Sequence, residues 1–402
     1  MHSNYNPVEH AWEGFKLVDL KHHSGAGIRW LELYLEPEAT IQPRCSICGT
    51  ETSHYHDSRI RMIRDLPILD EQVRLWVRLR RIRCPRCGIA SELVSWVEPY
   101  QHMTKRLCAS VEALCTATTI KAAARHYCLG WDQVKKLDKE HLKATLTPVD
   151  LSHIEFLLMD EFALQRGHRY ATVVFEPKRR RVLWIGRGRG RQDIRPFFDL
   201  LGPERCTRIK AIGMDMTAAY AEEVKLHCPQ AMIVYDLFHV LARYGHEVID
   251  RVRVDEANRV RSDKSHRALV KGSRWMLLRN RDHLDPSQRI RLDELLAANK
   301  HLLTAYVLKD DLKRLWSFSD PLKARLFWME WRARAFESKL APLVRFAENL
   351  EMKIDYVLSH CLFPLGTSIL EGVNNRIKVI KRMAYGFRDD QYFFLKIRDA
   401  FP

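Results

Sequence analysis

Two matched pairs of cysteines constrain this chain more than any other feature. Cys45-Ser-Ile-Cys48-Gly49 and Cys84-Pro-Arg-Cys87-Gly88 share the spacing CxxCG. A CxxC turn points both sulfurs at one ion, and two such turns supply the four thiolates of a closed tetrahedral site. The glycine after each pair tolerates the tight backbone turn. Cys45, Cys48, Cys84 and Cys87 are therefore expected to hold one structural Zn2+, with a strand pair between them that includes the alternating run Val73 to Ile82. His54 and His56 also lie in the gap, but four cysteines already satisfy zinc. Reduced cysteines in a core are the plain alternative, and the double pair argues against it. Cys108, Cys115, Cys128, Cys206, Cys228 and Cys361 show no such pairing and read as small buried hydrophobes.

The charge points outward from the fold. The 402 residues carry a formal net charge of +16, a surplus that calls for a polyanionic partner; nucleic acid leads and an acidic membrane surface is the rival. Arg59 to Arg86 and Lys178 to Arg195 hold dense, Arg-dominated clusters. Arg clamps phosphate better than Lys does, so Arg78 and Arg80 are expected on a DNA backbone rather than on a merely solvated face. With 46% hydrophobic and 29% charged residues the chain is globular. No apolar run reaches membrane-span length, and the first thirty residues lack a signal-peptide core. The expected location is the cytoplasm, at the bacterial nucleoid.

Residues 104–145 read as three helices. Within them, AAARHYCLGWDQVKKLDKEHL (122–142) has a helix-turn-helix pattern: Ala124 is small where the helices approach, a turn follows at Cys128 to Gly130, and Val134 and Leu137 face inward. Glycine is usual where Cys128 stands, so Gly130 is the expected turn residue. The second helix would enter the major groove with Lys135, Lys136 and Lys139 toward DNA. An ordinary helical hairpin is the competing reading.

From about residue 153 the texture becomes short apolar strands with intervening helices. FLLMD (156–160), YATVVFE (170–176) and VLWIGRG (182–188) precede a helix, then AIGMD (211–215) and MIVYD (232–236) follow. Three strands, a helix and a fourth strand are the ribonuclease-H order, in which strands one and four are neighbours. Asp160 and Asp215, at the strand ends, would then meet. Two like charges so close repel each other unless cations intervene, and two Mg2+ or Mn2+ ions would also clamp the oxygens of a phosphoryl transfer. A third carboxylate is expected from the helix 368–385, where Glu371 is followed by Asn375, Lys378 and Arg382 at helical spacing. Asp236 competes with Asp215 as the second acid. Asp215 is preferred because strand five lies further out; Asp236 and His239 then support the acids from behind, with a helix cap at Asp236 as the bland role.

LLMDEFALQRGHRYATVV, IGMDMTAAY, IVYDLFHV and LEGVNNRIKVIKRMAYGFRD together resemble the ISL-three family of bacterial insertion-sequence transposases, and the likeness runs over essentially the whole chain. The AspxxHis after the second acid is also similar to Mutator-like transposases. The resemblance implies a multidomain α/β protein: a zinc ribbon (1–100), a helix-turn-helix (101–147), a ribonuclease-H-like core (150–239), an all-α insertion (240–360) and a closing helix with the catalytic glutamate (361–402). It implies Asp160, Asp215 and Glu371 as the catalytic set. Its partners would be double-stranded DNA, both terminal inverted repeats and target, bound by a homodimer or larger assembly. A DNA-binding regulator derived from a transposase, and a ribonuclease-H-like nuclease, are the alternatives.

Overall fold

The computed structural model describes residues 11–25, 27–165, 167, 169–365 and 368–401. They form two compact units that divide between Leu146 and Thr147.

The first unit begins with a sheet of β1 (Phe15–Gly25), β2 (Ile28–Pro37), β3 (Tyr55–Ile68), β4 (Glu71–Cys84) and β5 (Gly88–Ser91), in the order β1-β2-β4-β3 with β5 on β4. The β3–β4 hairpin is the expected strand pair; β1 was not anticipated, because its residues are mostly exposed and carry little apolar alternation. Leu31, Leu33 and Leu35 of β2 and Val73, Leu75 and Val77 of β4 alternate into one core. Three helices follow: α1 (Lys105–Ala117), α2 (Ile120–His126) and α3 (Trp131–Thr145). Thr104 caps α1 and Thr119 caps α2 through side-chain acceptance from a backbone N–H.

Two side chains lock this sheet to its helices. Asp65, buried, accepts from Trp12 Nε1 at 2.8 Å, Thr104 Oγ1 at 2.6 Å and Arg106 Nε at 2.8 Å. Arg64, also buried, donates to the carbonyls of Tyr127 at 2.9 Å and Cys128 at 3.0 Å, and to Val73 O at 3.2 Å. One cluster arginine thus braces the turn between α2 and α3 instead of facing solvent. At that turn Gly130 has φ −67 and merely precedes α3, whereas Cys128 itself adopts φ +49. The left-handed residue is the cysteine, and Gly130 does not take over its role.

The second unit is built on β6 (Phe156–Gln165), β7 (Arg169–Glu176), β8 (Arg181–Arg187), β9 (Ala211–Met214) and β10 (Met232–Tyr235), in the order β10-β9-β6-β7-β8. β6, β7 and β8 are antiparallel neighbours; β9 runs parallel to β6, and β10 parallel to β9. Between β8 and β9 lie α4 (Arg191–Leu201) and α5 (Pro203–Cys206), and α6 (Ala218–His227) leads to β10. Leu157 and Met159 of β6 face the core shared with α4 and α6, while Leu158 faces the opposite core, as a period of two requires.

A helical region follows β10: α7 (Leu237–Tyr244), α8 (Asp250–Arg259), α9 (Lys264–Gly272), α10 (Arg274–Leu278), α11 (Pro286–Ala298), α12 (Lys300–Arg314), α13 (Pro321–Glu337), α14 (Ala341–Glu351) and α15 (Ile354–Leu358). Its centre is aromatic, with Trp328 and Trp331 stacked at 5.1 Å and Tyr244 donating to Ala305 O at 2.8 Å. The chain then returns as α16 (Ser368–Met383) and α17 (Asp390–Ala400), which cover the Leu158 face through Leu370, Val373, Ile377, Phe393 and Ile397. The expected single closing helix is therefore two. The chain reverses at Tyr385 and Gly386, and Asp389 caps α17 by accepting from Tyr392 N at 3.1 Å. Among the described residues no helix is long and apolar enough to cross a membrane.

Cys128 in the left-handed region carries a Cβ clash that glycine lacks. Cys128→Gly should raise the stability of the first unit by about 0.5–1 kcal/mol, measured as an upward shift of its calorimetric transition in the full chain. A downward shift would show that the cysteine side chain outweighs the strain.

Candidate functional site

The first site is made of sulfur. Cys45 lies before β3, Cys84 closes β4, and the turn into β5 carries Cys87, so the hairpin folds the two pairs together. The four Sγ atoms lie within 4.8 Å of one another, and Cys48 and Cys84 approach to 3.5 Å. Gly49 and Gly88 have φ +72 and +74, the left-handed turn after each pair. Four soft donors converging this closely fit one tetrahedral zinc ion. His54 stands aside, 3.3 Å from Thr52 Oγ1.

The second site is made of oxygen. Pairing registers Met159 of β6 with Met214 of β9, and Met214 with Tyr235 of β10. The next residue on each strand is an aspartate, so Asp160, Asp215 and Asp236 occupy one row across three adjacent strands. Asp160 does not end its strand: β6 continues to Gln165, paired only with β7, because β9 stops at Met214. The row sits where parallel pairing ends, with β9 and β10 opening and β6 running on.

His239, on the first turns of α7, faces all three carboxylates. Its Nδ1 lies 3.4 Å from Asp215 Oδ1, and its Nε2 lies 4.0 Å from Asp160 Oδ1 and 3.9 Å from Asp236 Oδ2. Asp236 caps α7 by accepting from Phe238 N at 2.7 Å and is buried. Asp160 accepts from Glu161 N at 2.7 Å and from Asn374 Nδ2 at 2.6 Å. Burial pushes the Asp160 carboxyl up to about 6, the nearby charge of Asp215 pushing the same way and the two hydrogen bonds and His239 opposing.

Helical spacing from Glu371 points to Asn375, but that residue is exposed and it is Asn374 that meets Asp160. Helical spacing alone cannot choose between adjacent asparagines; Val373 and Ile377 facing the core set the rotation of α16 that aims Asn374 at Asp160. Its Oδ1 is buried with no hydrogen-bond partner. An orphaned amide oxygen beside carboxylates is the hard donor set that Mg2+ or Mn2+ takes, so these residues fit a divalent cation. Glu371 stands one turn before Asn374 in the first turn of α16 and is exposed.

The expected DNA contacts divide. Lys378 and Arg382 are exposed along α16. On α3, Lys136 is exposed, 3.8 Å from Glu140, and Lys135 lies 5.6 Å from the Trp131 ring centroid; Lys139 is half-buried. Arg78 and Arg80 both have partners inside the domain. Arg78 donates to Glu36 at 2.8 Å, and Arg80, largely buried, donates to Glu92 at 2.8 Å and to Ile41 O at 3.1 Å. Sequence could not show these acids, which come from other strands and loops.

Comparison with known proteins gives a consistent pattern. A family model described as a transposase matches residues 157–397, the helix-turn-helix domain of transposase family ISL3 matches 92–142, and the zinc-finger of the IS204, IS1001, IS1096 and IS1165 transposases matches 41–87. The transposase for insertion sequence element IS1001 of Bordetella parapertussis is 50% identical over 392 residues, covering 97% of this chain and 96% of that protein. The transposase for IS1557 of Mycobacterium tuberculosis (strain H37Rv) is 25% identical over 382 residues, covering 89% and 85% respectively.

Two outcomes follow from the geometry. Purified protein should contain one zinc per chain by metal analysis, lost in Cys45→Ser; a full zinc content in that variant would refute the assignment. Asp160 keeps its proton to about pH 6 when folded, against an ordinary value of 3.8. The folded state therefore binds more protons between those values, and stability falls as pH rises through that window. In chelator-treated protein, Asp160→Asn should be more stable at pH 7 by about 1–3 kcal/mol, a gain that fades below pH 4. An unchanged melting temperature at pH 7 would contradict the burial argument.

Proposed function

The chain belongs to the ISL3 family of insertion-sequence transposases, and we propose that its second unit is a ribonuclease-H-like core that cuts and joins DNA at Asp160, Asp215 and Glu371. The observation that carries this reading is the row of acids at the end of the β6–β9 pairing, with Asp160 held by Asn374 of α16, one turn after Glu371. The order β10-β9-β6-β7-β8, with three antiparallel strands first and two parallel ones after, supports the ribonuclease-H-like assignment. In this account residues 1–100 are the zinc ribbon, 101–147 the helix-turn-helix, 150–239 the first part of the core, 240–360 an all-α insertion and 361–402 its closing part.

Asp160, Asp215 and Glu371 would hold two Mg2+ or Mn2+ ions, which supply Lewis acidity to the attacking and leaving oxygens of a phosphodiester. Asn374 fixes the carboxylate of Asp160 through its amide hydrogen bond. His239 sits within 4.0 Å of each aspartate and would help to orient them. Asp215 is preferred to Asp236 as the second acid because its strand is the one paired with β6, whereas the strand of Asp236 lies one position further out. Lys378 and Arg382, on the helix of Glu371, are placed by helical spacing to hold phosphates of the bound strand.

The first unit would supply recognition. α3 presents Lys135, Lys136 and Lys139 to a major groove at the terminal inverted repeats. Hydrolysis at each element end would free a 3′-hydroxyl, and that hydroxyl would attack target DNA in the same site. Pairing of two ends asks for a homodimer or larger assembly. Work on such a substrate would put the protein in the bacterial cytoplasm, at the nucleoid.

Asp160→Ala, Asp215→Ala and Glu371→Ala should each reduce nicking of element-end DNA in Mg2+ to background while end binding persists. Asp236→Ala should retain partial activity and lose about 1 kcal/mol of stability with its helix cap. Full activity in Glu371→Ala would remove the third acid and with it the proposed mechanism. End binding should fall steeply with salt, about 10^3-fold or more between roughly 50 and 200 mM if six or more phosphates are contacted. Salt-insensitive binding would count against the recognition surface.

A further inference from the structure

Helix α13 is apolar on two opposite sides. Ala324, Trp328, Trp331 and Ala335 line the buried side and pack into the centre of the helical region. On the other side Leu322, Leu326, Met329 and Phe336 are 76%, 62%, 59% and 37% exposed, and Ala333 between them is exposed as well. Their spacing is four, three, four, three. A helix needs one apolar stripe to join a core; a second stripe at this spacing has the repeat of a two-stranded coiled-coil seam. We propose that this face is a dimer interface, and that its occupant is α13 of a second copy of this chain, running parallel.

The charges beside the seam select that occupant. In heptad terms Leu326 and Ala333 are a positions, and Leu322, Met329 and Phe336 are d positions. Arg325 and Arg332 then precede the a positions, and Lys323, Glu330 and Glu337 follow the d positions. In a parallel pair, each flanking residue ahead of an a position meets the residue five further along the other helix. Arg325 meets the partner's Glu330, and Arg332 meets the partner's Glu337, twice each by symmetry. An antiparallel pair brings Arg325 beside the partner's Arg332 and Glu330 beside its own copy, which repels. Arg325 already touches Asp355, and Arg332 lies 3.6 Å from Glu351, which also accepts from Trp328 Nε1 and keeps that partner if Arg332 turns away; ion pairs this open to solvent exchange at little cost. Glu330 and Glu337 are exposed.

The helix is short, so the pairing is expected to be reversible and concentration-dependent. It does not rest on the catalytic reading and needs no DNA. Sedimentation equilibrium of the full, DNA-free chain should show a monomer–dimer equilibrium. Leu326→Glu should raise the dissociation constant on the order of tenfold or more while the chain still melts cooperatively. Glu330→Arg/Glu337→Arg and Arg325→Glu/Arg332→Glu should each be monomeric, and an equimolar mixture of the two should recover dimers, since every flanking pair becomes opposite in charge. These exposed substitutions carry the test even if Leu326→Glu fails to fold. A wild-type chain that stays monomeric at all concentrations, dimers that persist in the charge-reversed chains, or a mixture that fails to recover them would each overturn the proposal.

Discussion

Three carboxylates on one rung of a parallel sheet repel one another, and the second unit is arranged around that repulsion. The register of β6, β9 and β10 leaves no choice about their proximity: once Met159, Met214 and Tyr235 align, the aspartates that follow them must align too. The surroundings relieve the strain locally. His239 stands among all three, Asn374 and Glu161 N donate to Asp160, and Asp236 turns one oxygen to the start of α7. Asp160 is still left with a carboxyl pushed up to about 6. A protein that only had to fold would place apolar residues there. Retaining charge at a buried rung makes sense when cations complete it.

What the sequence made legible was local chemistry. The cysteine knuckles were readable because zinc geometry demands their spacing, and the structure gathers all four sulfurs as expected. The aspartates were readable because each follows a short apolar run. What escaped was whatever another element decides. Asp160 lies inside β6 rather than at its end, since β7 extends the pairing that β9 abandons. Arg64 and Arg80 stand in one row of arginines, and the partners they find inside the domain, the turn before α3 and Glu92, come from elsewhere in the chain. Asn374 and Asn375 are equivalent until the core side of α16 is known. α17 was missed because its aromatic run and two reversing residues after α16 give no clean period.

The helical region between β10 and α16 carries its own division of labour. After it the chain returns as α16, which sets Asn374 against Asp160, and its own core is built around the stacked Trp328 and Trp331. The outward stripe on α13 adds nothing to that core, which is why it is informative: such exposure is costly unless another surface covers it. A chain proposed to bring two DNA ends together has use for a contact of this kind.

The central claim is that Asp160, Asp215 and Glu371 share divalent ions. Diffraction from crystals of the full chain with element-end DNA and Mn2+, recorded with anomalous scattering from manganese, tests it most directly. The account predicts two manganese peaks contacted by Asp160, Asp215 and Glu371. Manganese bound by Asp236 in place of Asp215 would change the second acid, and a Glu371 carboxylate remote from both peaks would contradict the claim.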